Sequence, residues 1–175
     1  MVISPITAIE QKWITHPDFQ SIEDWEKSKY INPNAIDFTL DTLFTVDNEK
    51  IALISEETRI FRSCELQYPQ DDIYTLYPGG FYDGMSKFTV NIPEGVCALL
   101  INRSTLNRAG VHLNAGLYDA GYNGNIGFSL YNRIGATQIK QHTRVGQIMF
   151  LQSDSVGLYN GIYNNIQGHW SNKVN

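Results

Sequence analysis

The sequence predicts a mainly β domain with short helices confined to its N-terminal end. Three observations predict it. Segments rich in β-branched and aromatic residues recur along the chain, at 36–46 (IDFTLDTLFTV), 87–92 (KFTVNI), 96–102 (VCALLIN), 125–132 (NIGFSLYN) and 146–152 (GQIMFLQ). Turn formers punctuate them: Asp47-Asn48, Pro78-Gly79-Gly80, Pro93-Glu94-Gly95 and Tyr122-Asn123-Gly124. Helical periodicity is scarce beyond the first thirty residues. Many short strands with turns at such spacing read as an all-β sandwich or barrel.

Residues 1–30 form a helical N-terminal segment, with helices expected at 6–14 (ITAIEQKWI) and 21–30 (SIEDWEKSKY). Pro17 separates them and Pro33 follows the second; Ser21 caps it, and Asp24 favours its positive end. The strands then run to residue 152. One segment, 104–110 (STLNRAG), interrupts them: Ser104 can cap a single helical turn and Gly110 can end it. With Arg103 before it and Arg108 one turn along, this is either an anion site or an ordinary crossover with solvated arginines. The last stretch, 159–175 (YNGIYNNIQGHWSNKVN), is either a frayed tail or an arm folded over a ligand or a neighbouring subunit. Tyr159, Tyr163 and Trp170 are costly to leave in water, which favours an ordered arm. With no internal repeat and no linker, 1–175 reads as a single domain.

Composition narrows the function. The net charge of −5 gives no footprint for nucleic acid or an anionic membrane, so any phosphate must be held by a few local cations. Cys64 and Cys97 form no CxxC pair, which suits reduced thiols of a cytoplasmic protein. The start lacks a signal-peptide pattern, and no apolar run approaches a membrane span. His16, His112, His142 and His169 are scattered, and no HxE or PCxxC pattern occurs. Zinc-dependent base deamination is therefore unsupported, and no tightly bound zinc is expected.

The run RSTLNRAGVHLNAGLYDAGYNGNIGFSLYN (103–132) resembles the core signature of the dCTP deaminases and their dUTPase relatives. That signature reads RSSLxRxG, then HLTAxxxDPGxxGxIxLE, then an Asn. Arg103, Ser104, Leu106, Arg108 and Gly110 match the first part. His112, Leu113, Ala115, Asp119, Gly121, Gly124, Ile126 and Asn132 match the second. Ala35 to Leu40 resembles the family's SxDLRL strand, Tyr77-Pro78-Gly79 its LxPGE turn, and Arg144 to Phe150 its IGQLxF strand.

The resemblance implies a distorted jelly-roll β-barrel of the dUTPase-like fold, assembled as a homotrimer with active sites at subunit interfaces and an arm covering the nucleotide. It also frames two chemistries. The deaminases use the glutamate of the IxLE strand to activate water, and Ser129 stands there instead. The dUTPases use the aspartate of AGxxDxxYxG, and 115–124 fits that motif with Asp119 and Tyr122 in place. Without the resemblance, Asp119 reads as a turn former, and the resemblance reverses that. The implied catalytic residue is Asp119. The implied substrate-binding set is Arg103, Ser104, Thr105, Arg108 and Gln147 on phosphate, Tyr122 on deoxyribose, Asn114 in the base-reading hairpin, and Tyr163 in the arm. Mg²⁺ is expected to arrive with the triphosphate. The tail departs from the family: Ile162 and Ile166 replace a lysine and a glutamine, leaving Lys173 as its only cation. The expected function is dUTP hydrolysis to dUMP and pyrophosphate. The alternatives are dCTP deamination, triphosphatase action on a cytosine or modified pyrimidine nucleotide, a non-catalytic nucleotide-binding regulator, and a structural β-barrel.

Overall fold

The structure, a computed structural model, describes residues 1–57, 59–165, 168 and 169. Its first elements are α1 (Pro5–Glu10), β1 (Ile14–Thr15), α2 (Ile22–Ser28), β2 (Ile36–Thr39), β3 (Thr42–Val46), β4 (Leu53–Ile54), β5 (Arg59–Ile60), β6 (Cys64–Gln67) and β7 (Ile73–Leu76). Next come β8 (Phe81–Asn91), β9 (Val96–Asn102), α3 (Ser104–Arg108), β10 (Val111–Asn114), β11 (Leu117–Tyr118), β12 (Asn123–Asn132), β13 (Thr137–Lys140) and β14 (Arg144–Gln152). A six-stranded sheet runs β10-β12-β8-β3-β6 with β1 also on β8, and a four-stranded sheet runs β11-β9-β14-β2. Two small hairpins, β7–β13 and β4–β5, complete it. The mainly β expectation holds. The strands lie in these separate sheets and do not close into one barrel among the described residues.

Alternation explains the layers. Along β12, Ile126, Phe128 and Leu130 are buried while Gly127 and Tyr131 face out, and β8 buries Tyr82, Gly84, Ser86, Phe88 and Val90. The sheets meet where Phe38 of β2 packs on Phe128, ring centroids 5.2 Å apart. Two glycines make room for these rings: a Cβ at Gly84 would overlap Phe128, and one at Gly146 would overlap Phe38.

Several boundaries differ from the sequence reading. Residues 14–15 pair with β8 as a strand, because α1 ends at Glu10 and Lys12 turns the chain with φ 55°. The run 36–46 splits at Leu40 and Asp41, where the chain passes from one sheet to the other. The strand expected at 87–92 begins at Phe81, since Gly84 and Ser86 blunt its hydrophobic pattern. Ser104 does not cap α3; it is the first helical residue, and Arg103 is the N-cap without a side-chain cap bond. Ser21 does cap α2, in a reciprocal capping box with Asp24. No described helix is long and apolar enough to cross a membrane.

Candidate functional site

Strand register sets the floor of one cavity. Asn114 on β10 pairs with Ser129 on β12, Ser129 pairs with Asp83 on β8, and Asp83 pairs with Phe44 on β3. Directly paired residues share a face, so this row presents one surface. Asn114, Ser129 and Asp83 line a cavity of about 420 Å³, walled by Tyr118, Tyr122 and Phe128. The Ser129 hydroxyl donates to the Asn114 carbonyl at 3.4 Å. The Tyr118 hydroxyl donates to the Gly127 carbonyl at 3.0 Å and accepts from its N–H at 3.1 Å, locking the 115–124 segment onto β12.

The described tail closes over this cavity within its own chain. Tyr159 N–H donates to Ala120 O at 2.6 Å, Asn164 Oδ1 accepts from Asn123 N–H at 2.9 Å, and Gly168 N–H donates to Asn125 Oδ1 at 3.1 Å. Tyr163, Gly168 and His169 thereby join the lining. Ile166, Trp170 and Lys173 lie outside the described residues. Tyr122 packs edge-on to Tyr118 at 4.8 Å and Tyr159 at 5.8 Å, and burial pushes its hydroxyl up to about 12, so it stays a neutral phenol. Asp119 sits just past β11, exposed, bordering an adjoining cavity of about 180 Å³ with Tyr122 and Tyr163.

A second group forms around Asp37, which is almost wholly buried. Gln147 Nε2 donates to its Oδ1 at 2.9 Å and Asn32 Nδ2 at 3.0 Å; Arg144 Nη1 donates to Oδ2 at 3.2 Å. Arg103 Nε stands 3.7 Å from Oδ2, and its Nη1 donates to Arg144 O at 3.1 Å. Two of the expected phosphate ligands, Arg103 and Gln147, are thus oriented by one buried carboxylate. Ser104, Thr105 and Arg108 are exposed on α3 beside them.

Comparison with known proteins gives the family. Residues 9–153 match the dCTP deaminase-like family model. The chain belongs to the dCTP deaminase-like family. Among relatives, it is 32% identical over 133 residues to the dUMP-forming dCTP deaminase of Pseudarthrobacter chlorophenolicus, spanning 71% of this chain and 68% of the relative. It is 31% identical over 140 residues to the probable deoxyuridine 5'-triphosphate nucleotidohydrolase of Methanosarcina acetivorans, spanning 77% of this chain and 81% of the relative. The fold is similar to the crystal structure of 2'-deoxycytidine 5'-triphosphate deaminase from Agrobacterium tumefaciens (TM-score 0.65, 14% identity). That match covers 87% of this chain and 48% of the other.

In this dCTP deaminase-like chain the expected site residues fall into two groups. Asn114, Tyr122, Tyr163 and Asp119 surround the two adjoining cavities, neither of which is lined by Arg103, Ser104, Thr105, Arg108 or Gln147. The reason is register. Tyr118 pairs with Ala98 at one end of β9, whereas Arg103 lies past the other end. From Cys97 to Arg103 the extended chain covers about 20 Å at roughly 3.3 Å per residue.

Two residues escaped the sequence reading. Asp83 sits in no motif, and only the register of β8 against β12 reveals it opposite Ser129. Asp37 lies in the segment that resembles SxDLRL, but nothing local shows that it organises Arg103 and Gln147. The ground for expecting no zinc also needs correction: Cys64, Asp83 and His169, scattered in sequence, bring one donor atom each within 4.8 Å of one another.

Proposed function

We propose that this chain hydrolyses dUTP to dUMP and pyrophosphate. The observation that carries the reading is Asp119 beside Tyr122 at the cavity edge, with a serine, not a carboxylate, at position 129. In this mechanism Asp119 holds a water and takes its proton as the oxygen attacks the α-phosphorus. Tyr122 packs against the deoxyribose, the 112–118 hairpin with Asn114 reads the base, and Tyr163 covers it. Arg103, Ser104, Thr105, Arg108 and Gln147 take the phosphates. The relative of Methanosarcina acetivorans named for dUTP hydrolysis supports the substrate.

Arg103, Ser104, Thr105 and Arg108 lie past the end of β9 away from Asp119, and this separation supports a second copy supplying the phosphate ligands. The reading is a homotrimer of single dUTPase-like jelly-roll domains, 1–175, with sites between subunits. The arm, 159–175, belongs to that site. Mg²⁺ fits as an ion carried in by the triphosphate. Mg²⁺ keeps oxygen ligands and waters while neutralising phosphate charge, so the triphosphate itself can hold it and Asp119 stays free for water. The work is cytoplasmic, in pyrimidine deoxynucleotide metabolism.

A second reading, dCTP deamination, is favoured by the relative named dUMP-forming dCTP deaminase. Separate incubations with dUTP and with dCTP, each with Mg²⁺, decide between them. Pyrophosphate from dUTP without ammonia from dCTP is the expected result. Ammonia from dCTP at a comparable rate overturns it.

A further inference from the structure

Three side chains outside the proposed nucleotide chemistry converge at one end of the cavity lined by Asn114 and Ser129. Cys64 opens β6, Asp83 lies on β8, and His169 comes from the arm. Asp83 Oδ2 is 3.6 Å from Cys64 Sγ and 3.6 Å from His169 Nε2. All three donor atoms lie within 4.8 Å of one another. His169 is 3% exposed and Asp83 14%, so both are shielded from bulk water. The His169 ring stacks on Phe44 at 3.9 Å, which fixes its plane.

We propose that Cys64, Asp83 and His169 form a site for a borderline-soft divalent cation of the zinc type. The donor set carries the choice of metal. A thiolate and an imidazole favour zinc over magnesium or calcium, and the carboxylate supplies the third charge-bearing ligand. In a tetrahedral site with bonds of about 2.0–2.3 Å, neighbouring donors stand roughly 3.3–3.5 Å apart. Small side-chain rotations therefore bring these three to bonding distance. Asp83 and His169 both face the cavity, so the fourth position opens towards it.

Two consequences follow from where the ligands sit. The metal ties the arm, through His169, to the sheet strands β6 and β8. It therefore stabilises the arm in its closed position over Tyr118, Tyr122 and Ser129. Metal binding through a thiolate releases the Cys64 proton to solvent. Separations of 19 residues between Cys64 and Asp83 and 86 between Asp83 and His169 leave no ligand-spacing pattern in the sequence.

The test uses tag-free full-length protein stripped with chelator, then titrated with Zn²⁺ by calorimetry and with Co²⁺ by absorption. One equivalent of Zn²⁺ per chain is expected, with a thiolate-to-cobalt charge-transfer band and the strong visible bands of four-coordinate Co²⁺. Cys64→Ser should remove the charge-transfer band, and His169→Ala should weaken Zn²⁺ by at least about tenfold, since each deletes one of three protein ligands. Cys97→Ser should change neither. Because His169 lies in the arm, its replacement leaves the sheets intact and decides the matter even if Cys64→Ser misfolds. Substoichiometric binding overturns the proposal, as does Zn²⁺ affinity unchanged in His169→Ala.

Discussion

At Asp119 an exposed carboxylate sits between β11 and β12, and its amide would keep the shape while losing the basicity. Asp119→Asn is expected to bind dUTP like the parent and to turn it over on the order of 10²–10⁴-fold more slowly. Equal turnover in a pyrophosphate assay would reject the assignment. Asp41 shows a carboxylate with a different task. Burial pushes its carboxyl up, but hydrogen bonds from Thr39, His142 and the Lys87 N–H outweigh burial and hold it below the usual range. Thr39 Oγ1 donates to it at 2.6 Å and Lys87 N–H at 2.8 Å, from positions on both main sheets. A carboxyl depressed in the folded state stabilises above its unfolded pKa of about 3.9, and that contribution is lost as pH falls. Thermal melts from pH 7 down to 3 should therefore show an acid limb that Asp41→Asn flattens. At neutral pH, Asp41→Ala should cost about 1–3 kcal/mol by stranding buried donors. Of these two residues only Asp119 stands in a local motif, so only its proposed role could be read from the sequence. The Asp41 ligands Lys87 and His142 are distant in the chain.

Among the elements, α2 is the one whose local chemistry is complete in its own residues. Ser21 accepts from Asp24 N–H and Asp24 accepts from Ser21 N–H, and both residues precede the buried Trp25. Ser21→Ala should cost about 0.5–2 kcal/mol in chemical denaturation. The sheet interface has no such local marker. Gly84 and Gly146 read as ordinary strand glycines, yet each sits under an aromatic ring of the facing layer. Gly84→Ala and Gly146→Ala should each destabilise by about 1–3 kcal/mol through overpacking, and loss of less than measurement error would contradict the packing. Strand boundaries were least legible for the same reason. β8 gains its early residues by pairing, Phe81 to Met85 with β12 and Tyr82 to Met85 with β3, which compensates for the apolar side chain that Gly84 lacks.

For the whole molecule, light scattering should give about three times 19.9 kDa. A stable monomer at micromolar concentration would remove the shared-site reading. Subunit mixing probes the same point functionally. Arg108→Ala should weaken nucleotide binding by about 1.5–3 kcal/mol, the range for bonds to charged groups. If Asp119 and Arg108 serve one site from different copies, mixed trimers of Asp119→Asn and Arg108→Ala regain activity, with about a quarter of sites intact under random assembly. Activity no greater than the sum of the two variants would place both residues in one chain's site. The sequence by itself determined the mainly β class, the α2 cap, the dCTP deaminase-like resemblance, and the exchange of a carboxylate for Ser129. Each of these is written in neighbouring residues, where period, turn chemistry and motif spacing act over a few positions. Only the tertiary structure decided that Asp83 faces Ser129, that Asp37 holds Arg103 and Gln147, that Asp119 and Arg103 stand at opposite ends of β9, and that Cys64 meets His169. Strand register and sheet stacking make those contacts between residues far apart in the chain, and no local pattern encodes which strand will lie beside which.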